Sequence, residues 1–534
     1  MTPPEVARWL AEQLALTATS TVLDPSAGSG RLLWAALDAL VAAGAEPTRA
    51  ARQLIGVERD PALLRVAREA LRARVIELGG ASPRALKLHE GDALTRKLPR
   101  ADAVILNPPY ANADALPAAL HETLGRRWPA FYRRQIDLSA LFLALGVEAL
   151  RPGGRLCAIT PRYWLEATNT GPFRAWLLER LELCAVLDLG DIQVWPRVQV
   201  LTALLVARRK PKPAPGEAQG GQALWWRAGE APPAWGQPYE RWEGGYTIPQ
   251  ARLSAAPWNQ RAPALEATLA ALEAACPTRL DAWFTLGQGC KAGCNEVFLM
   301  TEAQAQARGL SRWLLPVAKA REVGAGALAL SSQRLLHVVE RTPWAEDEAT
   351  ARWLQAHRAR LEARFQVQDG AASWYALSIP QGLGCAQTSK LLVPLYARAL
   401  RVGVDRVGHA CLTDVYWMIP KAGLALSLEA AAMLLGSAPW RAWAKARAKL
   451  KRDGYLELGR RVLGDLPLPV WPDGRLCAPD AARWRAAHPR AESDDPAQTL
   501  EGLAQRWSLD PTRWQPEADA LAQAWLAALA PVSP

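Results

Sequence analysis

Residues 21–31 read TVLDPSAGSGR: a short apolar strand, an aspartate, a glycine turn and the first residue of a helix. The helix continues as RLLWAALDALVAA, with its apolar residues at helical spacing. A strand that runs through a glycine loop straight into a helix opens a parallel α/β unit, because parallel neighbours need a crossover connection. The pattern repeats outward from there. The helical PPEVARWLAEQL precedes it; QLIGVE, a helix from Pro61, LKLHEGD and ADAVIL follow. After an irregular stretch come the helix LSALFLALGVEAL, the turn RPGG and the strands RLCAIT, LCAVLDLG and VQVLTALLVA. Residues 1–207 are therefore expected to form a Rossmann-like domain: a mostly parallel seven-stranded sheet with helices on both faces.

Past residue 207 the character changes. RRKPKPAPGEAQGGQ, residues 208–222, is rich in Pro, Gly and charge without periodicity, and reads as a linker. Residues 223–470 show short mixed segments, many Trp and few long helices, the pattern of an α+β domain. Residues 471–534 read as a C-terminal extension ending in the amphipathic EADALAQAWLAALA, to which the sequence assigns no role.

A chain of 534 residues exceeds one hydrophobic core, and 50% apolar with 22% charged residues is globular composition. The net charge is +11; the first 207 residues carry 24 basic and 21 acidic side chains, the remainder 39 and 31. The positive excess thus lies mainly past residue 207, where it suits a polyanion or simply a solvated surface. Among eight cysteines only Cys290 and Cys294 are close, and no second Cys or His pair completes a zinc set. Buried free thiols in a reducing cytoplasm are expected. No signal pattern or membrane-spanning run is visible, so a cytoplasmic chain with no membrane partner is expected.

In an open parallel sheet, ligands bind beyond the carboxyl ends of the strands. The candidate groups fall there. Asp24 ends the strand TVLD, and Gly28 and Gly30 let the following backbone approach a ligand. Leu33 occupies the third glycine position of a dinucleotide fingerprint, and no Gly-Lys-Ser/Thr marks a phosphate loop. An acid at this place repels phosphate and suits the ammonium of an amino-acid ligand. Glu58, ending GVE, can accept both hydroxyls of a ribose, and Asp92 in HEGD the exocyclic amine of an adenine. Amino acid, ribose and adenine in that order describe S-adenosylmethionine. Each acid alone is an ordinary loop carboxylate; three at successive strand ends around a glycine loop make a site.

ADAVIL ends in Asn107-Pro108-Pro109-Tyr110. An aromatic exocyclic amine is a poor nucleophile because its lone pair is delocalised into the ring. The Asn107 side-chain oxygen and the Pro108 carbonyl can accept its two N–H groups, favouring pyramidal geometry and freeing the lone pair. Two stiff prolines preorganise these acceptors, and Tyr110 offers an aromatic face for a planar base. No strong general base is required, since the alkylated amine loses its proton readily.

DPSAGSG, GVERDP, EGDA and NPPY, preceded by TPPEV at residues 2–6, resemble the γ-class amino-methyltransferases of DNA, specifically the TaqI-like N6-adenine enzymes. The resemblance continues through LRPGGRLCAITPRYWL, LGDIQVWPRVQVLTALLV, FTLGQGCKAGCNEVFL, LLPVAKAREV and LGDLPLPVW, to about residue 471. It implies that Thr2, Asp24 and the backbone around Ser26 contact the methionine part of the cofactor. Glu58 then holds the ribose, Asp92 the cofactor adenine, Asn107 and Pro108 the target amine, and Tyr110 stacks on the target base. Trp195 in VWPR stands where the family usually has Phe packing on the target adenine; a buried core Trp is the competing reading. The motif of Thr2 lies at the very start of the chain, so disorder is expected there.

A base within a duplex must be flipped out to reach such a corner. The resemblance makes residues 223–470 a target-recognition domain that grips double-stranded DNA. Its sequence offers PWRAWAKARAKLKRDGY, residues 439–455, read as one helix with Arg441, Lys445, Lys449 and Arg452 on one face for phosphates. A solvated basic face is the plain alternative. The resemblance adds Lys291, Lys319 and Arg321 as DNA-contact candidates. No nuclease motif stands out in the last 64 residues, and the motif at Thr2 leaves no room ahead of it, so a monomer served by a separately encoded endonuclease, or by none, is expected. Methyl transfer to an RNA base or a protein glutamine, through the same corner, is the other enzymatic reading. A catalytically silent DNA-binding subunit is the non-enzymatic one.

Overall fold

In the computed structural model β1 (Val22–Asp24) lies inside a nine-stranded sheet with β2 (Leu54–Glu58), β3 (Lys87–Glu90), β4 (Ala101–Leu106), β5 (Leu150–Pro161), β6 (Leu181–Gly190), β7 (Thr202–Arg209), β8 (Gln222–Arg227) and β9 (Tyr246–Pro249). The strand order is β3-β2-β1-β4-β5-β7-β6-β8-β9. The structure describes residues 2–190, 192–195, 200–211, 221–228, 233–258, 260–326, 328, 332–477 and 495–528. Strands β1 to β5 run parallel, and β7 inserts antiparallel between β5 and β6. The chain builds outward from β1 to β3, then returns to lay β4 on the other side of β1. That reversal is the switch point at which such sheets open a crevice.

Alternate residues explain the layers. Val22, Ala103, Ile105, Cys157, Ile159, Leu204 and Val206 face one core, shared with helices α1 (Pro4–Glu12), α2 (Arg31–Ala42) and α4 (Pro61–Glu77), which follows α3 (Pro47–Gln53). Leu23, Val104, Leu106, Leu156, Ala158 and Leu205 face the opposite core. There α5 (Ala118–Arg127) contributes Leu124 and α6 (Leu138–Ala149) is buried along nearly its whole length. A sheet covered on both faces needs the apolar runs read from the sequence.

The expected linker does not end the unit. Residues 208–222 connect β7 to β8 of the same sheet, so there are nine strands rather than seven, and the first unit extends to Pro263. Two long-range features hold residues 223–258 there. Arg174, wholly buried, donates from Nη2 to the Ala255 carbonyl at 2.7 Å and from Nη1 to the Trp164 carbonyl at 2.7 Å. Trp258 packs edge-on against Trp164, ring centroids 5.6 Å apart, and its backbone N–H donates to the Leu165 carbonyl at 2.7 Å.

The second unit, Ala264–Pro534, is mixed α and β, with small sheets of two, four, four and three strands among its described residues. The expected C-terminal extension is part of its core. Helices Pro496–Leu509 and Pro511–Ala528 bury Leu500, Trp507, Leu521 and Trp525 against Leu428–Gly436 and Trp440. Amphipathic periodicity in the tail signalled a packed face, but not which surface it meets.

The long basic helix expected at 439–455 stops early. Helix Ala438–Arg447 ends at extended Ala448, and Lys449–Leu450 pairs antiparallel with Leu456–Glu457. The reason is the turn. Asp453 (φ 59°) and Gly454 (φ 73°) take the left-handed region, the hairpin chemistry of Asp-Gly. Arg441 and Lys445 therefore share no helix face with Lys449 or Arg452, and Arg441 is held by Asp519 at 2.8 Å. The Arg452 side chain lies outside the described residues.

No helix among the described residues is long and apolar enough to cross a membrane, and no group of three or more His, Cys, Asp or Glu among them could hold a metal. All eight cysteines are free; six are buried.

Candidate active site

The carboxyl ends of β1, β2 and β4 meet at one place. Asp24 closes β1, and the turn after it folds back so that the Ser26 N–H donates to Asp24 Oδ1 at 2.9 Å. The Ala27 N–H donates to the Val57 carbonyl at 2.9 Å, tying this loop to β2. Gly28, at φ 54°, then presents its N–H to Glu58 Oε2 at 2.8 Å, while the Asp60 N–H meets Oε1 at 2.9 Å. Each Glu58 oxygen thus has one backbone donor, which fixes the carboxylate and leaves a further lone pair on each. Asp60 also caps α4 through the Ala62 N–H at 2.8 Å, which explains the Asp-Pro after the acid.

The two glycines of the loop serve different ends. Around Gly28 a Cβ would meet only the Ser26 carbonyl at 4.0 Å, so the backbone is open to a ligand. Gly30, the N-cap of α2 at φ 82°, is required by packing, since a Cβ there would stand 2.9 Å from the Ala67 Cβ of α4.

Asp24 is 1% exposed. Burial pushes its carboxyl up to about 7, against the Ser26 backbone and side-chain hydrogen bonds that lower it, with the Glu58 charge adding to the rise. A carboxylate that is costly to ionise when unpaired binds an arriving cation strongly. Asp92 follows β3 on a turn whose Gly91 N–H donates to the Glu58 carbonyl at 2.9 Å, and its Oδ1 accepts the Leu94 N–H at 2.9 Å.

Because β4 is the parallel neighbour of β1, Asn107 emerges beside Asp24. Ser26 Oγ lies 3.2 Å from the Asn107 backbone carbonyl and 3.4 Å from Asp24 Oδ1, bridging the two strand ends. Thr2 is buried, in contrast to the disorder expected so near the start, and its Oγ1 accepts the Asn107 Nδ2–H at 3.0 Å. The amide nitrogen is thereby turned toward Thr2. No hydrogen bond among the described residues occupies Asn107 Oδ1 or the Pro108 carbonyl. Among the described residues both acceptors are thus unengaged, at the end of the strand next to the one that the buried Asp24 closes.

Tyr110 and Trp195 pack edge-on, centroids 5.7 Å apart at 77°, with Trp195 8% exposed in the core on the α1–α2 side of the sheet. Burial raises the Tyr110 hydroxyl well above its usual range, and it has no hydrogen-bond partner among the described residues. One feature escapes sequence reasoning. At the end of β6, Asp188 receives the Gly190 N–H at 3.0 Å and pairs with Arg162 at 3.2 Å and Arg227 at 3.0 Å, at the base of the segment carrying Trp195. Only the aspartate at the end of an apolar strand hinted at it; its partners come from distant segments.

The remaining candidates lie in separate segments of the second unit. Lys291 is exposed in a loop paired with Ile379, Lys319 lies 3.3 Å from Gln333 Oε1, and Arg321 is exposed with Glu322 3.9 Å away. Lys445 and Lys449 are exposed on the helix and the hairpin respectively.

Residues 96–195, which span the Asn107 corner and Trp195, match the family model described as Eco57I restriction-modification methylase. The chain is 26% identical over 404 residues to the type II methyltransferase M.XhoI of Xanthomonas vasicola, covering 71% of this chain and 73% of that protein. It is 23% identical over 410 residues to the type II methyltransferase M.PaeR7I of Pseudomonas aeruginosa, covering 72% and 68%. Among solved structures, the type IIL restriction-modification enzyme MmeI in complex with DNA aligns with a TM-score of 0.59 at 12% identity, over 99% of this chain and 73% of that one; this is a likeness of fold. In sequence, the chain is similar to type II restriction-modification methyltransferases, and the family match falls on the segment bearing Asn107-Pro108-Pro109-Tyr110.

Proposed function

We propose that the chain is a DNA methyltransferase that uses S-adenosylmethionine to methylate N6 of a flipped-out adenine. The observation that carries this reading is the junction of β1 and β4, where a buried acid and a rigid pair of acceptors are joined through Ser26 and Thr2. The likeness to type II methyltransferases supports methyl transfer and DNA as its substrate.

The residues fit the cofactor. The buried Asp24 would take the ammonium, the fixed Glu58 the two ribose hydroxyls, and Asp92 the adenine amine, while the open backbone at Gly28 would allow close approach. When bound, the cofactor supplies an electrophilic sulfonium methyl group. Asn107 Oδ1 and the Pro108 carbonyl would accept the two N–H groups of the target amine, favouring its pyramidal form and freeing its lone pair. Tyr110, with Trp195 beside it, supplies the aromatic wall for the base. Residues 264–470 form the main part of the domain that grips the duplex. Labelled-cofactor assays on duplex DNA, RNA and ribosomal protein test the reading: transfer to N6 of adenine in DNA is expected, and no transfer to any DNA would refute it.

Cofactor binding is expected to depend on pH with a defined sign. Asp24 must be anionic to hold an ammonium, and with its carboxyl at about 7 it keeps its proton at lower pH. Affinity should weaken about tenfold between about pH 7.5 and about pH 6, with close to one proton released on binding at about pH 6 and only about a quarter of one at about pH 7.5. Calorimetry in two buffers reads both quantities, and Asp24→Asn should abolish the dependence along with most of the affinity.

Thr2 has a positioning role that a valine cannot fill. Thr2→Val keeps the shape but removes the acceptor for Asn107 Nδ2, so kcat is expected to fall about tenfold. Thr2→Ser should restore most of it. Cofactor Kd is titrated alongside, because Thr2 is also proposed to contact the methionine part of the cofactor, and a loss in Kd with parental kcat would assign the hydroxyl to the cofactor alone. Equal losses in Thr2→Ser and Thr2→Val would show that the hydroxyl does not orient the amide.

A further inference from the structure

The hairpin that replaces the expected helix end builds a three-stranded sheet: Tyr396–Ala397, Leu456–Glu457 and Lys449–Leu450. Its register pairs Tyr396 with Glu457 and Glu457 with Lys449, so these three share a face. Lys451 reaches the same face, against the Tyr396 ring and Glu457, and Arg398 lies against the ring of Tyr455 at the hairpin turn. The other face carries Ala397 and Leu456, both buried in the core of the second unit.

The outward face combines two features that a solvated sheet does not need. Tyr396 and Tyr455 are 45% and 40% exposed, and each lies against a cation: Lys451 Nζ is 5.9 Å from the Tyr396 ring and Arg398 Cζ 5.6 Å from the Tyr455 ring. Among the described side chains placed on this face, three cations meet one acid, Glu457, itself paired with Lys451 at 2.8 Å. Cations held on half-exposed aromatic rings present positive charge beside flat apolar surface. That complements a polyanion whose sugars and bases lie next to its charges. An acidic protein surface would engage the same cations and rings, and polyglutamate stands in for it in the binding test.

We propose that this sheet face binds the phosphodiester backbone of the DNA substrate, an inference that rests on the reading of DNA as the molecule methylated. The cations neutralise phosphates, and the tyrosine rings pack on the adjoining sugars.

The test uses the full chain and random-sequence duplex DNA, with binding measured across a salt series. Arg398→Gln/Lys449→Gln is expected to lower the slope of log affinity against log salt by about 1.8, at about 0.9 for each phosphate that is no longer neutralised. Tyr396→Leu/Tyr455→Leu should weaken binding several-fold with the slope unchanged. Cofactor Kd and melting temperature should match the parent in both variants. A parental slope and affinity in both variants would overturn the proposal. So would variants that lose binding to polyglutamate while keeping the parental DNA slope, which would assign the face to an acidic protein. Failure of the underlying reading looks different: the parent chain itself would bind no duplex, or would methylate only RNA or protein.

Discussion

Asn107→Ala is expected to cut methyl transfer by about 10²–10³-fold or more while cofactor affinity stays within a few-fold. The side chain is half-buried and its hydrogen bond is to Thr2, so its loss leaves the sheet and the carboxylates at Asp24 and Glu58 in place. What disappears is an acceptor that matters more as the attacking amine becomes pyramidal and its N–H groups grow more acidic. An interaction that strengthens toward the transition state shows in kcat rather than in ground-state binding. The Pro108 carbonyl cannot compensate, since it faces only one of the two N–H groups. Single-turnover transfer with labelled cofactor reads the first quantity and equilibrium titration the second. An Asn107→Ala chain with parental turnover would show that the corner is not where the amine is held.

Asp405→Ala is expected to destabilise the second unit by about 3–5 kcal/mol. Lys390 and Asp405 are both fully buried, with Nζ 2.8 Å from Oδ2, in a net that also takes the His409 Nδ1 at 2.9 Å and the Gly408 N–H at 3.0 Å on Oδ1. Lys390 further donates to the Cys385 carbonyl at 2.8 Å. Removing the acid strands a buried ammonium, and that uncompensated charge is the main cost. Replacing both partners, as Lys390→Met/Asp405→Leu, should therefore cost much less than Asp405→Ala alone. Denaturant unfolding of the three chains decides it: a double variant as unstable as the single one would refute the stranded-charge explanation. The pH dependence has a fixed sign. Burial pushes the Asp405 carboxyl up, but hydrogen bonds from His409 and Lys390 and the Lys390 charge outweigh it and hold it at about 2, below its ordinary 3.8. The stability it contributes is present above about pH 4 and is lost as pH falls toward 2.

The site and the fold were legible in the sequence to different depths. Asp24, Glu58 and Asn107 could be placed because each ends an apolar strand before a turn, and strand ends are local features. Their meeting point followed once the strands were taken as parallel. The hydrogen bonds that orient them were not legible, because Thr2 reaches Asn107, and Ser26 bridges β1 to β4, only when the sheet has formed. The Asp-Gly pair at 453–454 is a local hairpin signal, and it outweighs the helical spacing of the cations before it.

By itself the sequence determined the alternation of strand and helix, the glycine turn after β1 and the acids at the strand ends. These are set by neighbouring residues: side-chain periodicity, backbone freedom at glycine, and proline stiffness. Only the tertiary structure decided that residues 222–263 complete the first unit, that the tail closes the core of the second, and that the basic helix gives way to a hairpin. Each depends on contacts between distant segments, Arg174 with Ala255, Trp507 with Leu428–Gly436, Tyr396 with Glu457, and no local pattern encodes which distant surface a segment meets.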